Sequence, residues 1–136
     1  MNTWVWVDAW QQQCCGHDFG VGSPVRWSVK RLDPDDDQWI ADLLGQSWGG
    51  RLEYAQEHHD ESGGLWLTGV VRKIQVVTCS LTKEPDVGAG HGPGWIPVRG
   101  SGRLREVPVA DKWEPEAWVD EPSSTFGGWL VQLEQG

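Results

Sequence analysis

The sequence predicts a mainly β fold: a small, strongly bent antiparallel sheet or partly open barrel of the SH3-like or OB-like kind, with one short helix at about residues 34–44. Three observations predict it. β-branched and aromatic residues recur with period two in several short runs, breaks rich in glycine and proline separate those runs, and a helical period occurs over residues 33–45. The 136 residues suffice for one hydrophobic core and are too few for two ordinary domains. The expectation is a single β-rich domain over 1–136, carrying a flexible Gly/Pro-rich loop at about 83–102.

The first strand is expected at residues 4–7. Trp4 and Trp6 share one face and Val5 and Val7 the other, so both faces are apolar and the strand should be central or covered. The polar residues 8–13 end the strand or turn it, and Gly16 supplies backbone freedom to redirect the chain. After Phe19, residues 20–24 are turn-like. They deliver a cleaner half-buried strand, with Val25, Trp27 and Val29 on the core face and Arg26, Ser28 and Lys30 on the other.

The helix begins with Asp33 as cap and Pro34 in the first helical position. Asp35, Asp36 and Asp37 set negative charge against the free amides of the first turn, Trp39, Ile40, Leu43 and Leu44 form the apolar stripe, and Gly45 stops it. A short strand follows in which Leu52, Tyr54 and Gln56 share a face. Beyond the polar rim 57–62 and the break at Gly63 and Gly64 comes a long β run. There Val70, Ile74 and Val76 are expected inward, Val71, Lys73, Gln75 and Val77 outward, and Gly69 marks a bulge or a close backbone approach. Trp95, Ile96 and Val98 form a short strand inside the long loop. Leu104, Val107 and Val109 suggest another, in which Pro108 opposes an interior hydrogen-bonded position. Trp129, Val131 and Leu133 make the last strand, with Gln132 and Glu134 opposite.

Twenty acidic residues against eleven basic ones leave a net charge of −9, which opposes indiscriminate attachment to phosphate backbones or anionic membranes. Nucleic-acid binding would require three basic islands to merge: Arg26, Lys30 and Arg31; Arg72 and Lys73; Arg99, Arg103 and Arg105. No apolar run approaches the roughly 20 residues that cross a bilayer, and the N-terminus lacks a signal-type leader, so a cytoplasmic, non-membrane protein is expected. Three cysteines, two of them adjacent, do not make a secreted disulfide framework and are expected as thiols or occasional metal ligands.

The chemical candidates lie mostly in turns. Cys14, Cys15 and His17, with His58 and His59, are thiol and imidazole groups of the kind that could give zinc a tetrahedral shell, although adjacent cysteines and adjacent histidines are unconventional spacing. The same cysteines could serve as nucleophiles with His17, His58, His59 or His91 as base, yet no nucleophile elbow or protease signature surrounds them. The competing account is a packed cysteine pair beside capping histidines. Among eleven tryptophans, Trp48, Trp66, Trp95, Trp113 and Trp118 are not placed by a core pattern; they could form a stacking platform or simply fill core and interface. The carboxylates Glu57, Asp60, Glu61, Asp111, Glu114 and Glu116 fit ordinary solvated acids, and Gly88, Gly90, Gly92 and Gly94 lack the Lys and Ser or Thr endpoint of a phosphate loop.

The segment Trp10, Gln11, Gln13, Cys14, Cys15, Gly16, Phe19, Val21, Gly22, Val25 and Trp27 resembles the opening signature of a family of small actinobacterial proteins described only as a domain of unknown function. The resemblance continues through Glu57, His58 and His59; Gly69, Val71, Arg72 and Ile74; Gly100, Ser101, Gly102 and Leu104; Asp111, Trp113, Glu114 and Pro115; and Gly128, Leu130, Val131 and Leu133. It implies no activity, cofactor or catalytic residue. Where related chains carry tyrosine near the final strand, this one has Trp129, which weakens any role for a phenolic hydroxyl there.

The expectation is therefore an interaction module without catalytic residues or cofactor, binding through Cys14, Cys15, His17, Trp95 and Trp113, with a homo-oligomer or a protein as partner. The alternative is a zinc-binding or cysteine-dependent enzyme or regulator built on Cys14, Cys15, His17, His58 and His59.

Overall fold

The structure, a computed structural model, describes residues 2–8, 17–32, 34–48, 50–57, 65–83, 95–111 and 125–135. Within them lie β1 (Asn2–Asp8), β2 (Phe19–Gly20), β3 (Pro24–Arg31), the helix α1 (Pro34–Leu44), a 3-10 turn (Gln46–Trp48), β4 (Leu52–Gln56) and β5 (Leu65–Cys79). They continue with β6 (Leu81–Lys83), β7 (Trp95–Pro97), β8 (Arg103–Glu106), β9 (Val109–Ala110) and β10 (Thr125–Glu134). Among the described residues the fold is mainly β with one helix at 34–44, as the periodicity predicts.

The main sheet runs β10-β1-β4-β3-β5-β8, and a further β10–β5 pairing joins its first strand to its fifth, so the pairings close in part into a ring. The sheet is mixed and not wholly antiparallel: β1 and β4 run parallel while β1–β10, β3–β4, β3–β5, β5–β10 and β5–β8 are antiparallel. The sequence hides this because strand direction is set by a connection that includes α1, and side-chain alternation is identical in both directions. Two small ribbons, β2–β9 and β6–β7, complete the β structure among the described residues.

β1 is central, as its two apolar faces require. Val5 and Val7 face a cluster with Val29, Tyr54, Leu67, Val71, Ile74, Val76, Trp129, Val131 and Leu133. Trp4 and Trp6 face a second cluster with Ile40, Leu43, Trp48, Leu52, Val77 and Leu130. α1 therefore covers one face of the sheet, its buried Ile40 and Leu43 each stabilising by about 1.5–3 kcal/mol. Gly45 ends the helix at φ 105°, and its N–H donates to the Ala41 carbonyl at 2.8 Å. The carbonyls of Asp42 and Leu43 accept from Gly100 N–H at 2.8 Å and Gly102 N–H at 3.0 Å. The turn before β8 thus satisfies the helix end and fixes where β8 starts.

Two strand faces depart from strict alternation. On β5 it is Val71, fully buried, and not Val70 that joins Ile74 and Val76 in the core. The cause is a register shift opposite Gln132 and Leu133, which face Lys73 and Val71 and leave Arg72 as the extra residue. On β4 a shift between Trp4 and Val5, which face Leu52 and Tyr54, sends Leu52 to the helix side and Tyr54 to the other cluster. Gly69 makes the expected close approach: a Cβ there would stand 2.7 Å from the Glu134 carbonyl oxygen. Pro108 separates β8 from β9, consistent with the proline's inability to donate to a ladder.

Candidate functional site

The turn carrying His17 is held by backbone bonds. Phe19 is buried edge-on against Trp27, with ring centroids 5.0 Å apart. Ser23 N–H donates to the Gly20 carbonyl at 3.0 Å, and its hydroxyl oxygen accepts from Gly20 N–H at 3.0 Å. Gly22 N–H donates to the Val71 carbonyl at 2.8 Å, and Val71 N–H to that of Ser23 at 3.0 Å. Val21 N–H donates to the Pro108 carbonyl at 2.9 Å, docking the turn against β9. The result is a hydrogen-bonded ribbon with Val109, 44 % exposed, in β9 and Val21, 51 % exposed, in the turn directly after β2, while His17 and Asp18 are exposed just before β2.

Of the predicted site residues, Cys14, Cys15, His58, His59 and Trp113 lie outside the described residues, as do His91 and Trp118. His17 is described and exposed, and Trp95 lies in β7, paired with Lys83 of β6. Beyond the Trp6–Ala55 partners, β1 runs two residues to Asp8, and the chain runs through Gln56, the last residue of β4, to Glu57. Among the described residues no group of three His, Cys, Asp or Glu is arranged to hold a metal ion. Cys79 is a buried free thiol, and burial pushes its pKa up, which suits a packing role and opposes a nucleophilic one.

The tryptophans left unplaced by sequence divide. Trp48 is core, packed edge-on to Trp4 at 5.1 Å, with the Arg51 guanidinium 4.3 Å above its ring. Trp66 is surface, 48 % exposed, and the Arg26 guanidinium lies 4.5 Å over it. Leu65 beside it is 44 % exposed. This Arg26–Trp66 contact was not anticipated, although the signal was available: Arg26 occupies the non-core parity of β3, and Trp66 faces Ser28 on that same parity. The basic islands are individually engaged: Arg72 pairs with Glu134, Arg99 reaches Asp42 at 3.4 Å, and Arg31 lies 5.4 Å over Tyr54.

What the described fold and surface define is a mixed, partly ring-closed β domain with a helix on one face and exposed apolar side chains on two strand ribbons. The chain belongs to a family of unknown function, DUF6578, whose model matches residues 1–135. No curated protein and no solved structure matches it. Among the described residues no helix is long and apolar enough to cross a membrane.

Proposed function

We propose that the chain is a small cytoplasmic interaction module without catalytic activity, built on a partly open barrel and associating with a second copy of itself. The actinobacterial source suggested by the Trp10 to Gly22 signature belongs to the same reading. The observation that carries it is the β2–β9 ribbon: two exposed valines on a backbone fixed by hydrogen bonds at its turn, which offers apolar area at little ordering cost. Cys14, Cys15 and His17 precede this ribbon in sequence and extend the contact surface, with Trp95 and Trp113 as further contributors. The test is concentration-dependent association of the full chain, with amide chemical shifts at Val21, Gly22 and Val109 moving as it forms. Shifts that stay constant at every concentration would sink the association.

A second reading has its own support. The segments that hold Cys14 and Cys15 and His58 and His59 follow the ends of β1 and β4, which are parallel neighbours. In that reading Cys14, Cys15, His17, His58 and His59 bind zinc or serve a cysteine-dependent reaction. Metal analysis of untagged protein separates the two: one equivalent of zinc, lost in a Cys14→Ser, Cys15→Ser variant, favours the metal site, and metal-free, fully folded protein rejects it.

A further inference from the structure

β5 is longer than its partners. On one edge it pairs with β3 through 65–70 and with β8 through 75–78; on the other it pairs with β10 only from Val70 onward. Residues 65–69 therefore have one edge that no strand pairs among the described residues. The direction of their backbone groups follows from the bonds beside them. Val71 N–H donates to the Ser23 carbonyl on the β3 side, and the Ser28 carbonyl accepts from Glu57 N–H on the far side of β3. By the antiparallel alternation, Leu65, Leu67 and Gly69 bond toward β3, and the N–H and C=O groups of Trp66 and Thr68 point to the open edge.

The paired segments carry charge of one sign. Residues 24–29 and 65–70, which pair as the β3–β5 ribbon, include Arg26 and no acidic residue, in a chain of net charge −9. Lys30 and Arg31 continue β3, and Arg72 and Lys73 continue β5, where Arg72 pairs with Glu134 of β10. The Arg26 guanidinium lies 4.5 Å over the ring of Trp66, which is 48 % exposed, and Leu65 is 44 % exposed.

We propose that the edge of β5 at Trp66 and Thr68 accepts an extended acidic peptide as an added strand, an inference that rests on the interaction-module reading. The backbone groups of Trp66 and Thr68 supply the ladder, Trp66 and Leu65 the apolar contact, and Arg26 the charge that meets the peptide's carboxylates. A second copy is a poor occupant here, because its own 24–29 and 65–70 segments would present the same Arg26 and no carboxylate to meet it. Nucleic acid is a poor one too, because a polyphosphate uses none of the open backbone groups.

The test is titration of the full chain with a labelled peptide of alternating valine and glutamate, alongside its valine and lysine counterpart and oligothymidylate. Saturable binding of the acidic peptide alone is expected, weakened about tenfold or more by Thr68→Pro, which removes an edge N–H, and by Arg26→Glu. Circular dichroism checks that each variant folds; if the proline variant does not, Arg26→Glu and Trp66→Ala carry the test. No binding, equal binding of the lysine peptide or the oligonucleotide, or binding indifferent to the folded variants overturns the proposal. A dimer dissolved by Thr68→Pro would also overturn it, giving the edge to a second copy. Failure here leaves association through Val21 and Val109 intact, so the two readings fail separately.

Discussion

Gly69 shows how a single residue sets the path of two strands. Its missing side chain lets the Glu134 carbonyl at the end of β10 come close to β5, and an added Cβ would stand 2.7 Å from that backbone oxygen, which has no rotamer to escape by. Gly69→Ala should therefore lower stability by about 1–3 kcal/mol, seen as an earlier midpoint in urea unfolding; an unchanged midpoint would show that β10 can move away. Cys79 gives a residue-level pH effect. Burial raises its pKa above the ordinary 9.0, so the folded state holds its proton more tightly than the unfolded chain does. Its contribution is fully present below pH 9.0 and is lost as the pH climbs through the raised folded value. The urea midpoint should fall over that alkaline range, and the fall should be smaller in Cys79→Ala, which lacks the titrating thiol.

Elements show where sequence suffices and where it stops. α1 was legible because its determinants are local in sequence: Pro34 in the first turn, the Ile40 and Leu43 stripe, and Gly45 directly after the last helical residue. β3 was legible because Val25, Trp27 and Val29 alternate without interruption. The failures are nonlocal. Val71 displaces Val70 from the core because β10 skips Arg72, and Leu52 parts from Tyr54 because β1 skips Glu53, so each bulge is fixed by a partner distant in sequence. The β2–β9 ribbon and the open edge of β5 were invisible for the same reason, and of the predicted binding residues only His17 is placed with its side chain, on the surface. Because α1 contributes Ile40, 1 % exposed, to the cluster around Trp4 and Trp6, Ile40→Ala should cost about 2–5 kcal/mol. Thermal unfolding of the variant measures this, and a loss well below that range would mean the helix is a dispensable cover.

At the scale of the molecule, the β10–β5 pairing joins the sheet's first strand to its fifth, and one cluster takes side chains from β1, β3, β4, β5 and β10 together. Surface residues carried on paired strands need little ordering on contact, which favours binding through pre-set contacts over binding that must first order a loop. Among the described residues its exposed large apolar side chains are Val21, Leu65, Trp66, Val98 and Val109. We propose different partners for two pairs of them: a second copy for Val21 and Val109, and an acidic strand for the β5 edge at Leu65 and Trp66.

Sedimentation velocity of the full chain and its Val109→Asp variant over a wide concentration range tests the interaction-module claim most directly. A monomer–dimer shift is expected in the parent chain, and the aspartate, set on the contact surface of both copies, should weaken it by about tenfold or more while leaving the fold intact. A single monomeric species at every concentration, or a dimer that the aspartate does not disturb, would contradict it.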